Sequence, residues 1–279
     1  MSQIEPSEGG EADLAASRLA CHVRRRVLEL SFNARAGHIG SCLSIADILA
    51  ALFASPEFNW HRELSSHDRF VLAKGHAGLA LYCVLEGIGI IDSELLDTFG
   101  SDGSHFGVHP EQHTYGIDFA TGSLGQGLGF AVGAALAARI KRSEQRAVTL
   151  LSDAECNSGS TWEAASFGGH HRLSNLLAIV DVNGQQALGA TSQIIHQEPF
   201  GERWRHAGWE VREVDGHDRM RLARAFSRSV DGPVVVVART IFGAGVSFME
   251  GRLDWHYLPM TEPQFELALS EQSGGQYAS

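Results

Sequence analysis

Apolar and amphipathic segments alternate along most of the chain. Short apolar runs, of the kind that form buried strands, occupy residues 69–73, 147–151, 176–180, 209–214 and 234–239. Before and between them apolar residues recur at helical spacing, and the predicted helices cover residues 11–35, 44–53, 78–86, 160–171 and 218–228. Strands that alternate with helices predict an α/β fold, a parallel sheet with helices on both faces.

Local signals refine the ends of these elements and the extent of the domain. Ser44 is predicted to cap the second helix, with Asp47 at the capping-box position. Residues 1–11 are polar and acidic and predict a disordered N-terminal tail, and residues 266–279 predict a polar C-terminal tail. A single domain is therefore expected over residues 12–265.

Three features of the sequence indicate where in the cell the protein is located: a long apolar run, the N-terminus and the cysteines. The apolar run at residues 119–140 contains Thr121, Ser123, Gln126 and five glycines, which makes it too polar for a membrane span. We predict a buried helix there, packed closely against a sheet or another subunit. The N-terminus lacks the apolar core of a signal peptide, and the 4 cysteines have no CxxC spacing. We expect a soluble, cytoplasmic protein with no membrane association.

The net charge of −11 argues against a nucleic-acid partner, because phosphate backbones are bound by clustered Lys and Arg. The two basic clusters, at residues 24–26 and 139–146, lie on amphipathic stretches and are interpreted as solvated faces. The charge therefore predicts no nucleic-acid partner.

Two small polar segments follow neighbouring strands of the predicted sheet. Asp153 comes after the run at 147–151, and Asn183 follows the next strand. Their oxygens suit a hard divalent cation such as Mg²⁺, and a helix beginning near Ser158 would direct backbone N–H groups at an anion. The pattern predicts a metal–diphosphate site. On these segments alone, a pair of solvated strand-end turns explains it equally well.

Histidines provide the second candidate chemistry. The chain has 14 of them, and His38, His76, His109 and His256 lie in loops, the first three beside or near glycines. Glycine lets backbone approach a ligand closely, and imidazole transfers protons near neutral pH. We interpret the four histidines as candidate catalytic residues.

These segments resemble the motifs of transketolases, which use thiamine diphosphate. The similarity covers roughly residues 18–255, and the motifs are specific when taken together. The matching segments are Gly37-His38-Ile39-Gly40, Asp68 through His76, His109-Pro110-Glu111, Thr121 through Leu128, Asp153-Ala154-Glu155 and Asp181-Val182-Asn183-Gly184.

The resemblance implies thiamine diphosphate with Mg²⁺, or Ca²⁺ or Mn²⁺ in its place. The implied metal ligands are Asp153, Asn183 and the Gln185 carbonyl. The implied cofactor-binding residues are His76, Gly122, Ser123, Leu124, Ala154, Glu155, Asn183 and His256. The reaction it implies moves a two-carbon ketol unit from a ketose donor to an aldehyde acceptor, with sugars or sugar phosphates as substrates.

The chain also departs from the family pattern. Ser152 and Ala154 replace two glycines, Ser158 replaces a Glu, and Tyr257 follows His256 where the family has Gly. The family's second domain, which carries the Glu that activates the cofactor's pyrimidine ring, has no counterpart. The resemblance is therefore to the N-terminal subunit of a split transketolase. It implies a separate C-terminal pyrimidine-binding subunit, in a heterotetramer.

Alternatives stay open at this point. The chain could belong to a deoxyxylulose-phosphate synthase-like enzyme or to one that decarboxylates 2-oxo acids. It could also be a non-catalytic scaffold subunit that retains the fold, for which the substitutions at Ser152, Ala154 and Ser158 are the best support. A nucleotide-binding α/β protein is disfavoured because no Gly-x-Gly-x-x-Gly motif follows a first strand.

Overall fold

The central feature of the protein is a parallel sheet. The computed structural model describes residues 8–60, 67–229 and 231–274. Its strands are β1 (Arg69–Leu72), β2 (Ala147–Ser152), β3 (Leu176–Val182), β4 (Gln185–Gln186), β5 (Gly189–Ala190), β6 (Glu210–Asp215) and β7 (Val234–Arg239). Five of them form one sheet in the order β1-β2-β3-β7-β6, with every neighbouring pair parallel, and β4 and β5 form a separate small hairpin.

Helices surround the sheet. They are α1 (Glu8–Ala34), α2 (Ile39–Ser44), α3 (Ala46–Phe53), α4 (Gly78–Gly87), α5 (Ser93–Leu96), α6 (Gly127–Ile140), α7 (Gly159–His170), α8 (Thr191–Ile194), α9 (Phe200–His206), α10 (Arg219–Ala225) and α11 (Glu262–Gly274). None of the described helices has the length and apolar character that a membrane crossing requires.

Alternate side chains of each central strand enter two different cores. Val148 and Leu150 of β2 join the core formed with α1, α3 and α4, whereas Ala147 and Leu151 join the core formed with α6 and α7. Successive side chains of a strand point to opposite faces, so both faces of the sheet are covered. The predicted α/β fold, a parallel sheet with helices on both faces, is confirmed.

The predicted helix over residues 44–53 is wrong at its start. The chain forms two helices there, and Ile45, not Ser44, precedes the second one without a side-chain cap. Ser44 Oγ instead donates to Asp181 Oδ2 at 2.8 Å, and Asp47 is buried among basic side chains. Both residues are engaged by distant parts of the chain, which local spacing does not reveal.

The predicted tails are wrong where helices extend into them. Helix α1 begins at Glu8, and α11 continues to Gly274, inside the tail predicted over residues 266–279. Ala268 is buried, and Phe265 stacks on Phe32 with ring centroids 4.3 Å apart. Packing against α1 stabilises a segment whose own sequence looks unstructured. Residues 1–7 and 275–279 of the predicted tails lie outside the described residues.

The basic cluster at residues 24–26 is not simply a solvated face. Arg24 is fully buried and donates to both carboxylate oxygens of Asp47, whereas the Arg25 side chain is 70% exposed. In the second cluster Arg146 is also buried. A buried guanidinium needs a fixed partner, so these arginines hold the fold together.

We expect Arg24→Met to destabilise the chain because it leaves the buried Asp47 carboxylate without its main partner. The loss in the free energy of unfolding should be about 3 kcal/mol, at the low end for breaking a buried pair, since Arg219 and His217 still contact Asp47. Arg25→Met, which removes an exposed i,i+4 pair, should change it by about 0.5 kcal/mol or less. Urea unfolding of the two variants measures the difference; equal effects would contradict the buried-pair assignment.

Candidate functional site

The site lies where β2 and β3 end, at one edge of the sheet. Ser152 and Asp181 are paired in register, which brings the segments that follow them together. The Asp153 side chain is buried, and its Oδ2 accepts from the Gly184 backbone N–H at 3.1 Å and from Thr191 Oγ1 at 2.8 Å. Asp153 Oδ1 is buried without a hydrogen-bond partner among the described residues. That carboxylate therefore retains one oxygen for a ligand.

The second strand end adds neutral oxygens. Asn183 Oδ1 accepts from the Gln185 backbone N–H at 3.0 Å, and its Nδ2 donates to Asp181 Oδ2 at 2.9 Å, so the amide has a defined orientation. Gln185 Nε2 donates to the Gly251 carbonyl at 3.0 Å. In the described part of the chain no three His, Cys, Asp or Glu side chains are grouped so as to hold a metal ion. A metal here would therefore rely on one carboxylate together with amide and carbonyl oxygens.

This donor set suits a hard ion. Burial raises the pKa of the Asp153 carboxyl to about 6, although the hydrogen bond from Thr191 opposes the shift. A buried carboxylate whose charge is poorly compensated is stabilised by a nearby cation. Mg²⁺ takes few protein ligands and completes its octahedron with phosphate oxygens and water. The orphaned oxygen of Asp153 thus fits a magnesium–diphosphate ligand.

Sequence reasoning missed a buried cluster around Asp181. Lys74 Nζ lies 2.5 Å from Asp181 Oδ2, and Thr240 Oγ1 donates to the other carboxylate oxygen. Lys74 also donates to the Ser41 carbonyl at 3.3 Å. The lysine stands 107 positions from its partner, so only its place beside His76 in a recognised motif could have drawn attention to it.

Glu155 is fully buried and supports the site through the backbone. Its Oε1 accepts from the Gly125 N–H and its Oε2 from the Ser152 N–H, each at 3.0 Å. Burial raises the pKa of Glu155, while these two N–H groups lower it. Because both carboxylate oxygens are engaged, the side chain holds the glycine loop in place, and its role in cofactor binding stays a prediction.

The glycine loop at residues 121–126 lies beside the histidines. Gly122 has φ +156°, and a Cβ on Gly75 would lie 2.7 Å from the Gly122 nitrogen, so the two backbones pack with no room for a side chain. A Cβ on Gly122 itself would lie 3.1 Å from the His109 ring. Ser123 and Leu124 are exposed, Leu124 by 40%. The loop therefore packs its backbone against His109 and exposes one apolar side chain.

Four histidines from separate segments of the chain form a continuous row. The ring centroids of His38 and His76 are 4.9 Å apart, those of His38 and His256 are 4.9 Å apart, and those of His76 and His109 are 4.5 Å apart. All four candidates are thus brought together. We define these residues as the histidine row.

Backbone and ring contacts hold His38 and His256 in place. His38 adopts a left-handed conformation with φ 61°, uncommon for a residue other than glycine, and its N–H donates to the His256 carbonyl at 3.1 Å. Phe242 stacks on His256 with centroids 5.9 Å apart. Such strain persists only where surrounding contacts enforce it, and it is common at functional sites.

Three members of the histidine row, His38, His76 and His256, have lowered pKa values. Burial, followed by the neighbouring histidines and Lys74, lowers the pKa of His38 from 6.5 to about 4. Burial and Lys74 lower the pKa of His256 to about 4, and burial also lowers the pKa of His76. His38 Nδ1, His109 Nε2 and His256 Nδ1 are buried without hydrogen-bond partners in the described structure. Neutral imidazoles with unengaged nitrogens can donate to a ligand or accept a proton from it.

These shifts predict an acid-sensitive fold. A histidine whose pKa is about 4 in the folded chain and 6.5 in the unfolded chain binds its proton more readily when unfolded, so its contribution to stability is lost as the pH falls from 6.5 to 4. We expect His38→Gln and His256→Gln to flatten the decline of Tm across that window. His206, which is exposed, provides the control as His206→Gln. An identical decline of Tm in all variants would contradict the lowered pKa values of His38 and His256.

Tyr257, which replaces the glycine of the family pattern, contacts both halves of the site. Its ring centroid lies 5.1 Å from that of His256, and its hydroxyl donates to the Ala187 carbonyl between β4 and β5. The Tyr257 side chain is 55% exposed. It therefore joins the β4–β5 hairpin to the histidine row and adds an exposed aromatic surface beside the row.

Comparison with known proteins gives the family. The family model described as transketolase, thiamine diphosphate binding domain, matches residues 16–275. The apulose-4-phosphate transketolase subunit of Phocaeicola vulgatus is 39% identical over 256 residues, 90% of this chain and 91% of the relative. The 6-deoxy-6-sulfo-D-fructose transketolase subunit SqwG of a Clostridium species is 39% identical over 255 residues, 89% of this chain and 93% of the relative.

Solved transketolase structures have the same fold as this chain, and they show how much of a full-length transketolase the chain covers. A Pichia stipitis transketolase in complex with sedoheptulose 7-phosphate superimposes with a TM-score of 0.86 at 28% identity, covering 94% of this chain and 41% of that one. The transketolase of Campylobacter jejuni gives 0.83 at 27% identity, covering 95% and 43%. The chain thus spans about two fifths of these transketolases, whereas it matches the two separate subunits over nearly their whole length. With its sheet and its sequence in agreement, the chain belongs to the thiamine diphosphate-binding domain family of transketolases and is a transketolase subunit.

Proposed function

We propose that this protein binds thiamine diphosphate through Mg²⁺ and takes part in moving a two-carbon ketol unit from a ketose to an aldehyde. Ca²⁺ or Mn²⁺ could replace Mg²⁺. The observation that carries the proposal is the histidine row, in which burial lowers the pKa of His38, His76 and His256, together with the orphaned Asp153 oxygen at the same sheet edge.

The strand ends would hold the metal and the diphosphate. Asp153 Oδ1, the Asn183 side-chain oxygen and the Gln185 carbonyl are the proposed metal ligands. The Ala154 N–H, at the start of the short 3-10 helix Ala154–Asn157, is proposed to meet a phosphate oxygen. When bound, the thiamine ring supplies an electron sink for a carbanion.

The remaining residues would bind and orient the reacting groups. Gly122, Ser123 and Leu124 are proposed to support the pyrimidine ring of the cofactor with backbone and one apolar side chain. The histidine row is proposed to donate hydrogen bonds to substrate oxygens as negative charge develops there, and to move protons at those oxygens. A neutral imidazole serves both roles because it carries one donor and one acceptor nitrogen.

A second subunit would complete the site. Two of the relatives are named as transketolase subunits, and the chain spans 41% of the human transketolase that it matches at 34% identity. Exposed apolar side chains line the α6–α7 region, with Phe130 44%, Phe167 42% and Ile140 73% exposed. Apolar surface of this kind usually marks a protein interface. We propose that it is covered in a heterotetramer with a pyrimidine-binding subunit.

The substrate class is proposed as sugars or sugar phosphates. The relatives named above act, by their names, on apulose 4-phosphate and on 6-deoxy-6-sulfo-D-fructose. The free cysteines of the described chain are compatible with a reducing compartment, and we propose the cytoplasm.

A donor assay on the assembled subunits tests the proposal against its alternatives. Aldehyde release from a ketose, with transfer to an acceptor aldehyde, supports transketolase activity. Carbon dioxide release from a 2-oxo acid with no reaction of a ketose would assign one of the related thiamine enzymes. Absence of thiamine diphosphate binding by calorimetry, in an intact assembly, would favour the scaffold alternative.

A further inference from the structure

A histidine outside the histidine row bridges two segments that support it. His217 follows β6, and its Nδ1 lies 2.9 Å from Asp47 Oδ2. Its Nε2 accepts from the Ile241 backbone N–H at 2.9 Å, just beyond the end of β7. Because Nε2 accepts while Nδ1 faces a carboxylate, both contacts require a neutral ring with its proton on Nδ1. His217 thus links the Asp47 carboxylate to the backbone that follows β7.

Asp47 is a fixed anchor for this contact. It is fully buried, and Arg24 donates to both of its carboxylate oxygens. Arg219 Nη1 donates to Asp47 Oδ1 at 3.0 Å, and Arg219 Nη2 donates to Ser17 Oγ at 3.3 Å. Three helices, α1, α3 and α10, therefore hold the carboxylate that receives the His217 hydrogen bond.

The segment held through Ile241 touches both parts of the candidate site. Thr240 Oγ1 donates to Asp181, the strand-end residue that also binds Lys74. Phe242 stacks on His256, and it lies so close to Gly40 that a Cβ there would collide with its ring. A shift of residues 240–243 would therefore move His256 and the Asp181 cluster together.

We propose that His217 is a positioning residue for ketol transfer. It holds residues 240–243 against the site through a neutral imidazole anchored on Asp47, and it does not touch the reacting groups. The inference deepens the proposed function and rests on it for its catalytic readout. Among the described residues, Asp47 contacts the ring, and Arg24 and Arg219 contact Asp47. The His217 backbone N–H donates to Asp215 Oδ1 at 2.9 Å.

Two substitutions separate the two contacts. In His217→Gln, the amide reaches the place of Nε2 and its oxygen can accept from the Ile241 N–H. In His217→Asn, the shorter amide can still donate to Asp47 but does not reach Ile241. In the assembled subunits at saturating thiamine diphosphate and Mg²⁺, we expect kcat of the Asn variant to fall about 10- to 100-fold, the range typical of groups that orient a site. The Gln variant should stay within about threefold of the unmodified enzyme, about the loss expected if its hydrogen bond is only slightly weaker.

A second readout does not depend on activity. Amide hydrogen exchange of the purified chain should be faster at residues 240–243 in the Asn variant, with exchange in β2 and β3 unchanged, and should be near normal in the Gln variant. Equal exchange and equal kcat in both variants would overturn the proposal. Losses of kcat that simply follow Tm in both variants would also overturn it, since they indicate a structural role. If the unmodified assembly transfers no ketol group, the proposed function fails. The exchange measurement still shows whether the contact of His217 with the Ile241 N–H holds residues 240–243 in place.

Discussion

The purified chain by itself is expected to release no aldehyde from any ketose donor, even with saturating thiamine diphosphate and Mg²⁺. Activation of the cofactor's pyrimidine ring in this family depends on a Glu of the second domain, and no Glu of this chain matches its motif. Both carboxylate oxygens of Glu155 are engaged by backbone N–H groups, so it cannot substitute. Any residual turnover should lie at least about 100-fold below that of the assembled subunits, the smallest factor usual for a positioned acid or base. A coupled assay of aldehyde release measures it.

Addition of the pyrimidine-binding partner is expected to restore aldehyde release. Once activity is restored, His76→Ala should lower kcat by about 100-fold or more, because it removes the central imidazole of the row. His206→Ala, on the exposed surface of α9, should leave kcat unchanged. Robust turnover by the isolated, mass-verified chain would refute the split-enzyme proposal.

Asp153→Ala is expected to abolish most metal-dependent binding of thiamine diphosphate. The change removes the carboxylate oxygen that is buried without a partner at the strand end, and with it the charge that would hold the metal against the diphosphate. Affinity should fall by more than about 100-fold, beyond the loss seen when a group behind a metal ligand is removed. Calorimetric titration of the assembled subunits with thiamine diphosphate, with and without Mg²⁺, measures the change.

The fold should survive this substitution. Burial raises the pKa of Asp153 to about 6, so at neutral pH the carboxylate is ionised at a cost to the stability of the metal-free fold. Relief of this cost offsets the loss of the hydrogen bonds from Gly184 and Thr191, so the Tm should stay close to that of the metal-free parent. Asp231→Ala, whose side chain is 85% exposed, is the matched control. Unchanged affinity in Asp153→Ala, with the fold intact, would remove Asp153 from the metal site.

Local sequence determined the sheet and the chemistry of the site loops. The central strands were predictable because β2, β3 and β7 are continuous apolar runs, as strands buried on both faces must be. Three of the four histidines of the row were recognisable near glycines, the fourth by its family motif, and Asp153 and Asn183 by their place after strands. Each of these signals lies within a few neighbouring residues, where side-chain type and backbone conformation are directly coupled.

Tertiary structure alone decided which distant side chains meet. Arg24 pairs with Asp47, Lys74 with Asp181, and His217 with both Asp47 and Ile241, across separations of 23 to 170 positions. Sequence spacing assigned Asp47 to a helix cap and Arg24 to a solvated face, because both residue types are common in those roles. Their actual roles depend on burial. In a low-dielectric interior an unpaired charge is too costly, so the partners are selected by the packing of whole helices and not by local pattern.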